Sequence, residues 1–490
     1  MIRSYFRYLL RSRRTLILFF LAVYLILSLT WMTYDGVSVP GYGFYTSAKM
    51  AAALSMGLTF VLPVLVFSPF QKRSGCDQYF SLPISRKEIR IASLLAVFSV
   101  IFGYFLITVT AAWLLFGIGY VPLTLLLGIH AFMAFSVLSM CAINSYLFLL
   151  GNSWIDGIVI LAAYTLLPFA ASIGEGLLIS NLMAGKHALA LETHAQILSP
   201  VYTLMANYAA LISRNGWLYM KFSLPLFLLS ILYTVIGWFG LIHEFDERRS
   251  ERAEMISDHP LAYPLIIHLY SLLCLLVICS SCISSHDPSF LILLVLLLVC
   301  FVLGQFLYRR RLEISWKQAG IFLAETILCL GFCQIMWSSR CFGMADRVRL
   351  DEGDTLVYEY SRLADEKDLG RGIIGQETDH GAYVSFQLEI PTDRLNEYQE
   401  VLQILEACRK TAVDQWYERR THELSGYFQI SSKTGDRTFN QYHFNPDLSL
   451  SEEDLKRISG YCDVVVDDFN HDLEPSEMPL AEFLKLRSTW

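Results

Sequence analysis

The chain has 490 residues, of which 54% are hydrophobic and only 17% are charged, and its mean hydropathy is +0.44. A soluble protein has about 25% charged residues, so the composition excludes that class and predicts a polytopic membrane protein. The net charge of −7 is unevenly distributed: residues 339–490 hold 17 Lys and Arg against 30 Asp and Glu, a net charge of −13, and the remainder holds 21 against 15, a net charge of +6. The charge shift predicts a domain boundary near residue 339. The acidic segment that follows it is a poor candidate for nucleic-acid binding.

Residues 1–14 alternate apolar and basic side chains at helical spacing. This pattern predicts a helix that lies on the inner surface of the membrane. The alternative is a positively charged flank that only precedes the first span. The side chains concerned are Ile2, Phe6, Leu9 and Leu10 on the apolar side and Arg3, Arg7, Arg11 and Arg14 around the other.

Nine later segments are apolar over about 20 residues, the length that crosses a bilayer. Between the fifth and sixth of them, residues 177–220 are only half apolar, which predicts one or two helices too polar to span. The nine predicted spans lie at about 15–32, 50–69, 92–118, 122–150, 156–176, 222–243, 261–281, 288–308 and 319–338.

The loops between these spans differ in positive charge. With the N-terminus in the cytoplasm, the inner segments hold 17 Lys and Arg and the outer loops hold four. Because inner loops are enriched in Lys and Arg, this orientation is the predicted one. An odd number of spans then places residues 339–490 outside the cell membrane.

The loop at residues 69–91 combines Gly, Pro and charge between two apolar runs. Ser85 and Glu88 have the spacing of a capping box, so a helix is expected to begin at about Arg86. Such a rigid helix start would suit contact with a separate cytosolic motor; a basic anchor that only orients the spans is the alternative. Five cations in this short loop indicate the cytoplasmic side: Lys72, Arg73, Arg86, Lys87 and Arg90.

The same loop carries a pattern that reads Arg-x-Gly-x-Asp and then Leu-Pro-Ile-Ser-Arg. It resembles the first cytoplasmic loop of ABC-2 type exporter permeases, especially those of Gram-positive bacteria. The span layout from residue 1 to about 243 is similar as well, and the remainder of the chain is not covered by the motif. The matching residues are Arg73, Gly75, Asp77, Leu82, Pro83, Ile84, Ser85, Arg86 and Ile89.

The resemblance implies that residues 1–243 form a six-span permease unit that pairs with a second permease subunit, of the same or a different chain. The chain contains no G-x-x-x-x-G-K-[ST] motif, so it is expected not to be an enzyme itself and to work with a separate P-loop ATPase subunit. No cofactor or metal is expected. The residues expected to couple to the ATPase are Leu82, Pro83, Ser85, Arg86, Lys87 and Glu88.

Residues 244–338 add three spans, and residues 339–490 are predicted to form an acidic extracellular α+β domain. Cys408 and Cys462 could pair there, and the sequence leaves this open. The fold class predicted overall is an α-helical polytopic membrane protein of about nine transmembrane helices with a C-terminal α+β soluble domain. Strands are expected at 354–360, 382–390, 425–432, 437–444 and 462–468, and helices at 392–411 and 449–461.

Two ionisable residues within the later spans, His268 and Glu325, are candidates for a transport pathway. Ionisable groups are costly in lipid and are often functional there, although a packed, hydrogen-bonded role is the alternative for both. A different function also fits the sequence: a non-transporting membrane sensor or scaffold whose outer domain binds an envelope ligand. An integral-membrane transferase is a third alternative, which no cluster of acid, base and metal ligands supports.

Overall fold

The computed structural model forms two compact units. Unit 1 comprises Met1–Ser172, His194–Tyr270 and Leu303–Glu313, and unit 2 comprises Ile173–Thr193, Ser271–Val302 and Ile314–Trp490. The structure describes the chain except residues 1, 36–41, 186–193, 213–222, 286–288, 310–315, 345–354, 364–381, 419–425, 435–436, 445–451, 459–462, 469–475, 480, 483 and 486–490.

Most of the described chain up to residue 338 is helical. Each of the nine predicted spans falls on one helix, and the half-apolar segment before the sixth span contains a helix of 13 residues, too short to cross a bilayer. The helices are α1 (Ile2–Ser12), α2 (Arg14–Asp35), α3 (Tyr42–Phe67), α4 (Arg73–Phe80), α5 (Arg86–Ala112), α6 (Leu123–Leu149), α7 (Trp154–Leu182), α8 (Pro200–Ile212), α9 (Leu224–Asp246), α10 (Tyr263–Ser285), α11 (Ser289–Arg309) and α12 (Trp316–Ser338).

Seven helical segments within the described residues are long and apolar enough to cross a membrane: Gly43–Gln71, Arg86–Gly117, Leu123–Leu149, Trp154–Leu182, Leu224–Asp246, Tyr263–Ser285 and Trp316–Ser338. Helices α2 and α11 contain shorter apolar stretches, Arg14–Ser28 and Phe290–Phe306. The chain is therefore an α-helical membrane protein. The total of nine spans and the side on which each loop lies stay predictions.

Helix α3 lies at the centre of unit 1, where it packs against α2, α5 and α6. It presents small buried side chains, among them Ala48, Ala51 and Ala52, which allow neighbouring helices to approach closely. Two tyrosines from other helices donate to its backbone: Tyr24 Oη to the Ala51 carbonyl at 2.7 Å and Tyr208 Oη to the Ala48 carbonyl at 3.0 Å. These buried bonds fix the positions of α2 and α8 against α3.

The C-terminal part of unit 2 contains six antiparallel strands in the order β4-β3-β1-β2-β5-β6. Leu356, Leu388 and Ile430 are buried on its central strands. The elements are β1 (Thr355–Leu363), β2 (Ala382–Pro391), α13 (Gln399–Glu418), β3 (Gly426–Thr434), β4 (Arg437–Phe444), α14 (Glu452–Ile458), β5 (Asp463–Asp468) and β6 (Ser476–Pro479).

One predicted helix of this part of the chain differs from the structure. The helix expected at 392–411 begins instead as a 3₁₀ turn at Thr392–Tyr398 and continues as α13 to Glu418, because Arg394 has non-helical dihedral angles that interrupt it. The possible pairing of Cys408 involves Cys462, which lies outside the described residues. The boundaries predicted at residues 243 and 338 also stay predictions.

Helix α13 contacts the ends of two apolar helices within unit 2. The hydroxyl of Tyr417 donates to the Leu182 carbonyl at the end of α7, at 2.9 Å. Arg340, just after α12, pairs with Asp414 at 2.7 Å, and the Trp337 and Tyr417 rings lie 5.0 Å apart, centroid to centroid. The C-terminal segment is thus attached to the helical part of unit 2 through α13.

Candidate functional site

The start of α5 has the predicted capping box. Ser85 has extended dihedral angles and its Oγ accepts from the Glu88 amide at 3.3 Å. The Glu88 carboxylate accepts in return from the Ser85 amide at 3.1 Å and from the Ser85 hydroxyl at 3.0 Å. These bonds lower the pKa of Glu88. The predicted helix start at Arg86 is confirmed, because the signal lies within four consecutive residues.

The glycine of the family-like motif stands at a close backbone approach. A Cβ built on Gly75 would lie 2.0 Å from the carbonyl oxygen of Pro69, far inside van der Waals contact. Gly75 therefore allows α4 to pack directly against the 3₁₀ turn Ser68–Gln71. The other two residues of this part of the motif, Arg73 and Asp77, are exposed. Arg73 Nε donates to the Ala253 carbonyl at 3.2 Å.

Two arginines of α5 connect its first turns to the end of α9. Arg86 Nη1 donates to the carbonyls of Asp246 and Arg248 at 2.5 and 2.9 Å, and its guanidinium lies 4.3 Å from the centroid of the Phe80 ring. Arg90 is buried and forms an ion pair with the Asp246 carboxylate. Both cations thus join two helices that are far apart in the sequence.

Arg248 lies buried where α3, α6 and α9 end. Its Nε donates to the Phe70 carbonyl at 2.8 Å, its Nη1 to Leu149 at 2.8 Å and its Nη2 to Gly151 at 2.9 Å. Burial lowers its pKa. The last carbonyls of a helix have no partner in the helix and carry partial negative charge, so a buried guanidinium stabilises this end of α6.

Further side chains complete the same cap. Gln71 Nε2 donates to the Phe148 carbonyl at 2.7 Å, and Ser257 Oγ donates to the Leu150 carbonyl at 2.5 Å. A Cβ on Gly151 would lie 2.3 Å from the Gly157 nitrogen, so the turn after α6 is also closely packed. Residues 68–91, 148–152 and 246–257 together form one packed region, which we call the loop cluster.

The predicted coupling residues have three different environments in the loop cluster. Leu82, Pro83 and Lys87 are exposed, and we call them the tip. Arg86 instead bonds within the chain, together with Arg90 and Arg248, and we call these three arginines the base. Ser85 and Glu88 bond to each other. Sequence reasoning treated Arg90 and Arg248 only as positive charges of a loop, because nothing in their local sequence distinguishes them from exposed arginines.

The candidate pathway residues lie on other helices. His268 is half-buried on α10, and Glu325 is half-buried on α12, where the Ser271 hydroxyl donates to its carboxylate at 3.5 Å. This contact is compatible with the alternative of a hydrogen-bonded packing role for Glu325. A pathway role for either residue stays a prediction. Within the described residues, no group of three or more His, Cys, Asp and Glu could hold a metal ion.

No protein-family model, curated protein or solved structure matches the chain. What the loop cluster can do therefore follows from its own geometry and chemistry. The exposed tip lies at and just before the capped start of α5, and the arginines of the base bond to the ends of α3, α6 and α9.

Proposed function

We propose that the chain is the membrane-spanning permease subunit of an ATP-driven ABC exporter, coupled to a separate ATPase through residues 70–91. The observation that carries the proposal is the construction of the loop cluster. A partner could press on Leu82, Pro83 and Lys87 without breaking any bond that the loop cluster makes, because these side chains are exposed.

The base supplies a route for motion from the tip to the spans. Arg86 and Arg90 attach α5 to the end of α9, and α5 packs along α3. Because Arg248 bonds to carbonyls at the ends of α3 and α6 as well, a displacement of the tip would move several helices together. ATP-driven closure of a partner needs such a stiff connection to tilt the spans.

The proposal includes a topology and partners. The tip and the N-terminal helix face the cytoplasm, in accord with the 17 inner and four outer cations, and the C-terminal strands and helices form an α+β domain outside the cell membrane. Two permease subunits pair, and two copies of a P-loop ATPase dock beneath them. His268 and Glu325 are the candidate polar groups of a substrate path.

The test is purification of the tagged full chain from its native membranes in mild detergent, followed by identification of co-purifying P-loop ATPases. We expect a stoichiometric ATPase that is lost from the double variant Leu82→Ser, Lys87→Ala. The matched control is Lys72→Ala, which removes an exposed cation of the same loop outside the tip and should retain the ATPase.

Two outcomes would contradict the proposal. One is the absence of any ATPase under conditions that preserve a known transporter complex, which would favour the sensor or scaffold function for this chain. The other is retention of the ATPase by the tip variant, which would place the contact elsewhere.

A further inference from the structure

A cavity of about 310 Å³ lies between α1, the end of α3 and α4. This volume is at the lower end of the range of small-ligand sites. One wall is apolar, and the other carries hydroxyl groups and one cation. The lining residues include Tyr5, Leu9, Arg13, Val66, Phe70 and Tyr79.

Arg13 is the only cation among these lining residues. It acts on both phenols of the cavity: burial raises the pKa of Tyr5 and of Tyr79, and the positive charge of Arg13 opposes the rise at each. Arg13, Tyr5 and Tyr79 thus line one cavity and share one electrostatic environment. The ion pairs between described residues do not include Arg13, so no carboxylate of the described chain neutralises this half-buried lining residue.

The position of the cavity indicates the kind of anion that it would take. Arg13 lies between the amphipathic helix α1 and the apolar helix α2, which begins at Arg14. An amphipathic helix beside a span lies at the level of the lipid headgroups. Leu9, Val66 and Phe70 supply the apolar wall, which a free phosphate ion would leave unused and the glycerol end of a lipid would cover.

We infer that this cavity binds the phosphate headgroup of an anionic phospholipid. Arg13 pairs with the phosphate. The hydroxyls of Tyr5 and Tyr79 rotate from their present partners, Ser93 and Tyr8, to donate to the phosphate oxygens. Bonds of this kind between a cation and a phosphate are charge-assisted and stronger than neutral hydrogen bonds. The bound lipid would attach α1 to α4, and the inference does not depend on transport.

Native mass spectrometry of the full chain in mild detergent tests the inference, with dioleoyl phosphatidylglycerol as the anionic lipid and dioleoyl phosphatidylcholine as the comparison. We expect one retained phosphatidylglycerol per chain, with affinity lowered about tenfold by Arg13→Gln. The matched control is Arg14→Gln, since Arg14 is the adjacent, exposed arginine and its loss removes the same charge.

A second variant, Tyr79→Phe, keeps the ring that packs against Phe70 and removes only the hydroxyl. It should lower the affinity by about fivefold and serves if Arg13→Gln does not fold. Equal lipid retention by wild type and by the folded test variants would overturn the inference, and so would an equal loss in Arg14→Gln, which would indicate diffuse surface charge. Inorganic phosphate or glycerol 3-phosphate that displaces the lipid at equal concentration would assign the cavity to a soluble anion instead.

Discussion

The base and the tip of the loop cluster each contain a cation from the first turn of α5, and these two cations have different environments. Arg86 and Lys87 are adjacent, yet Arg86 donates to two carbonyls at and just after the end of α9 and Lys87 is exposed. Arg90 and Arg248 lie deeper still, each bonded to a helix end. The difference shows that adjacent positive charges in one loop can have separate environments: some cations hold helix ends together, and others stay exposed.

The base should respond most strongly to the loss of Arg248. Arg248→Ala removes three hydrogen bonds, each worth about 1.5–3 kcal/mol to a charged donor, and among the described bonds it leaves the Leu149 carbonyl without a donor, whereas the Phe70 and Gly151 carbonyls still accept from Cys76 and Gln71. We expect a loss of about 3 kcal/mol or more and a large fall in the apparent Tm in detergent, measured by tryptophan fluorescence. The matched control is Arg249→Ala, whose side chain is exposed; an equal fall in both variants would show that the cap is unimportant.

The next largest effect is expected at Gly75. The Cβ of Gly75→Ala would collide with the backbone of Pro69, and relief of such overpacking costs about 1–3 kcal/mol. Gly128→Ala on α6 is the matched control, because a Cβ there meets nothing within 4 Å and alanine favours a helix. The same thermal assay should show a lower Tm for the first variant only. An unchanged Tm in Gly75→Ala would contradict the packing of α4 on the turn at 68–71.

A smaller and sharper comparison uses the two adjacent cations. Arg86→Ala should lower the free energy of unfolding by about 1 kcal/mol, because it removes two hydrogen bonds whose net contribution to stability is small. Lys87→Ala should leave the Tm unchanged. Under the proposed function, Lys87→Ala should lower ATPase co-purification more than Arg86→Ala does, at a temperature where both variants are folded. Equal thermal effects would remove the distinction between base and tip.

The smallest effect concerns pH and the capping box. The pKa of Glu88 is lowered from its ordinary value of 4.5 in the folded chain. As the pH falls to that value, the unfolded chain therefore binds a proton before the folded chain does. The contribution of Glu88 to stability is then lost as the pH falls further through the lowered pKa. Glu88→Gln should flatten the dependence of Tm on pH below about 4.5 and leave the slope above it unchanged. A wild-type slope that persists in the variant would show that other carboxylates account for it.

Much of the helical part could be predicted from the sequence. Each apolar run of about 20 residues is a helix, because hydrophobic length is a property of consecutive residues and a helix satisfies the backbone hydrogen bonds within that one segment. The residue at which α5 begins could also be predicted from consecutive residues, since Ser85 and Glu88 of the capping box are three positions apart. The limits of other elements were less accurate: α7 extends to Leu182, beyond the predicted end at residue 176.

The roles of individual cations and glycines were decided only by the tertiary structure. Arg248 bonds to residues 178 and 99 positions away, and Arg86 bonds to one 160 positions away, so no local pattern marks them. The cavity beside Arg13 likewise requires three helices to meet. The sequence by itself determined the class of protein, the helices and the capped start of α5 through short-range chemistry. Which charges are buried, and which remain exposed, depended on how distant segments pack.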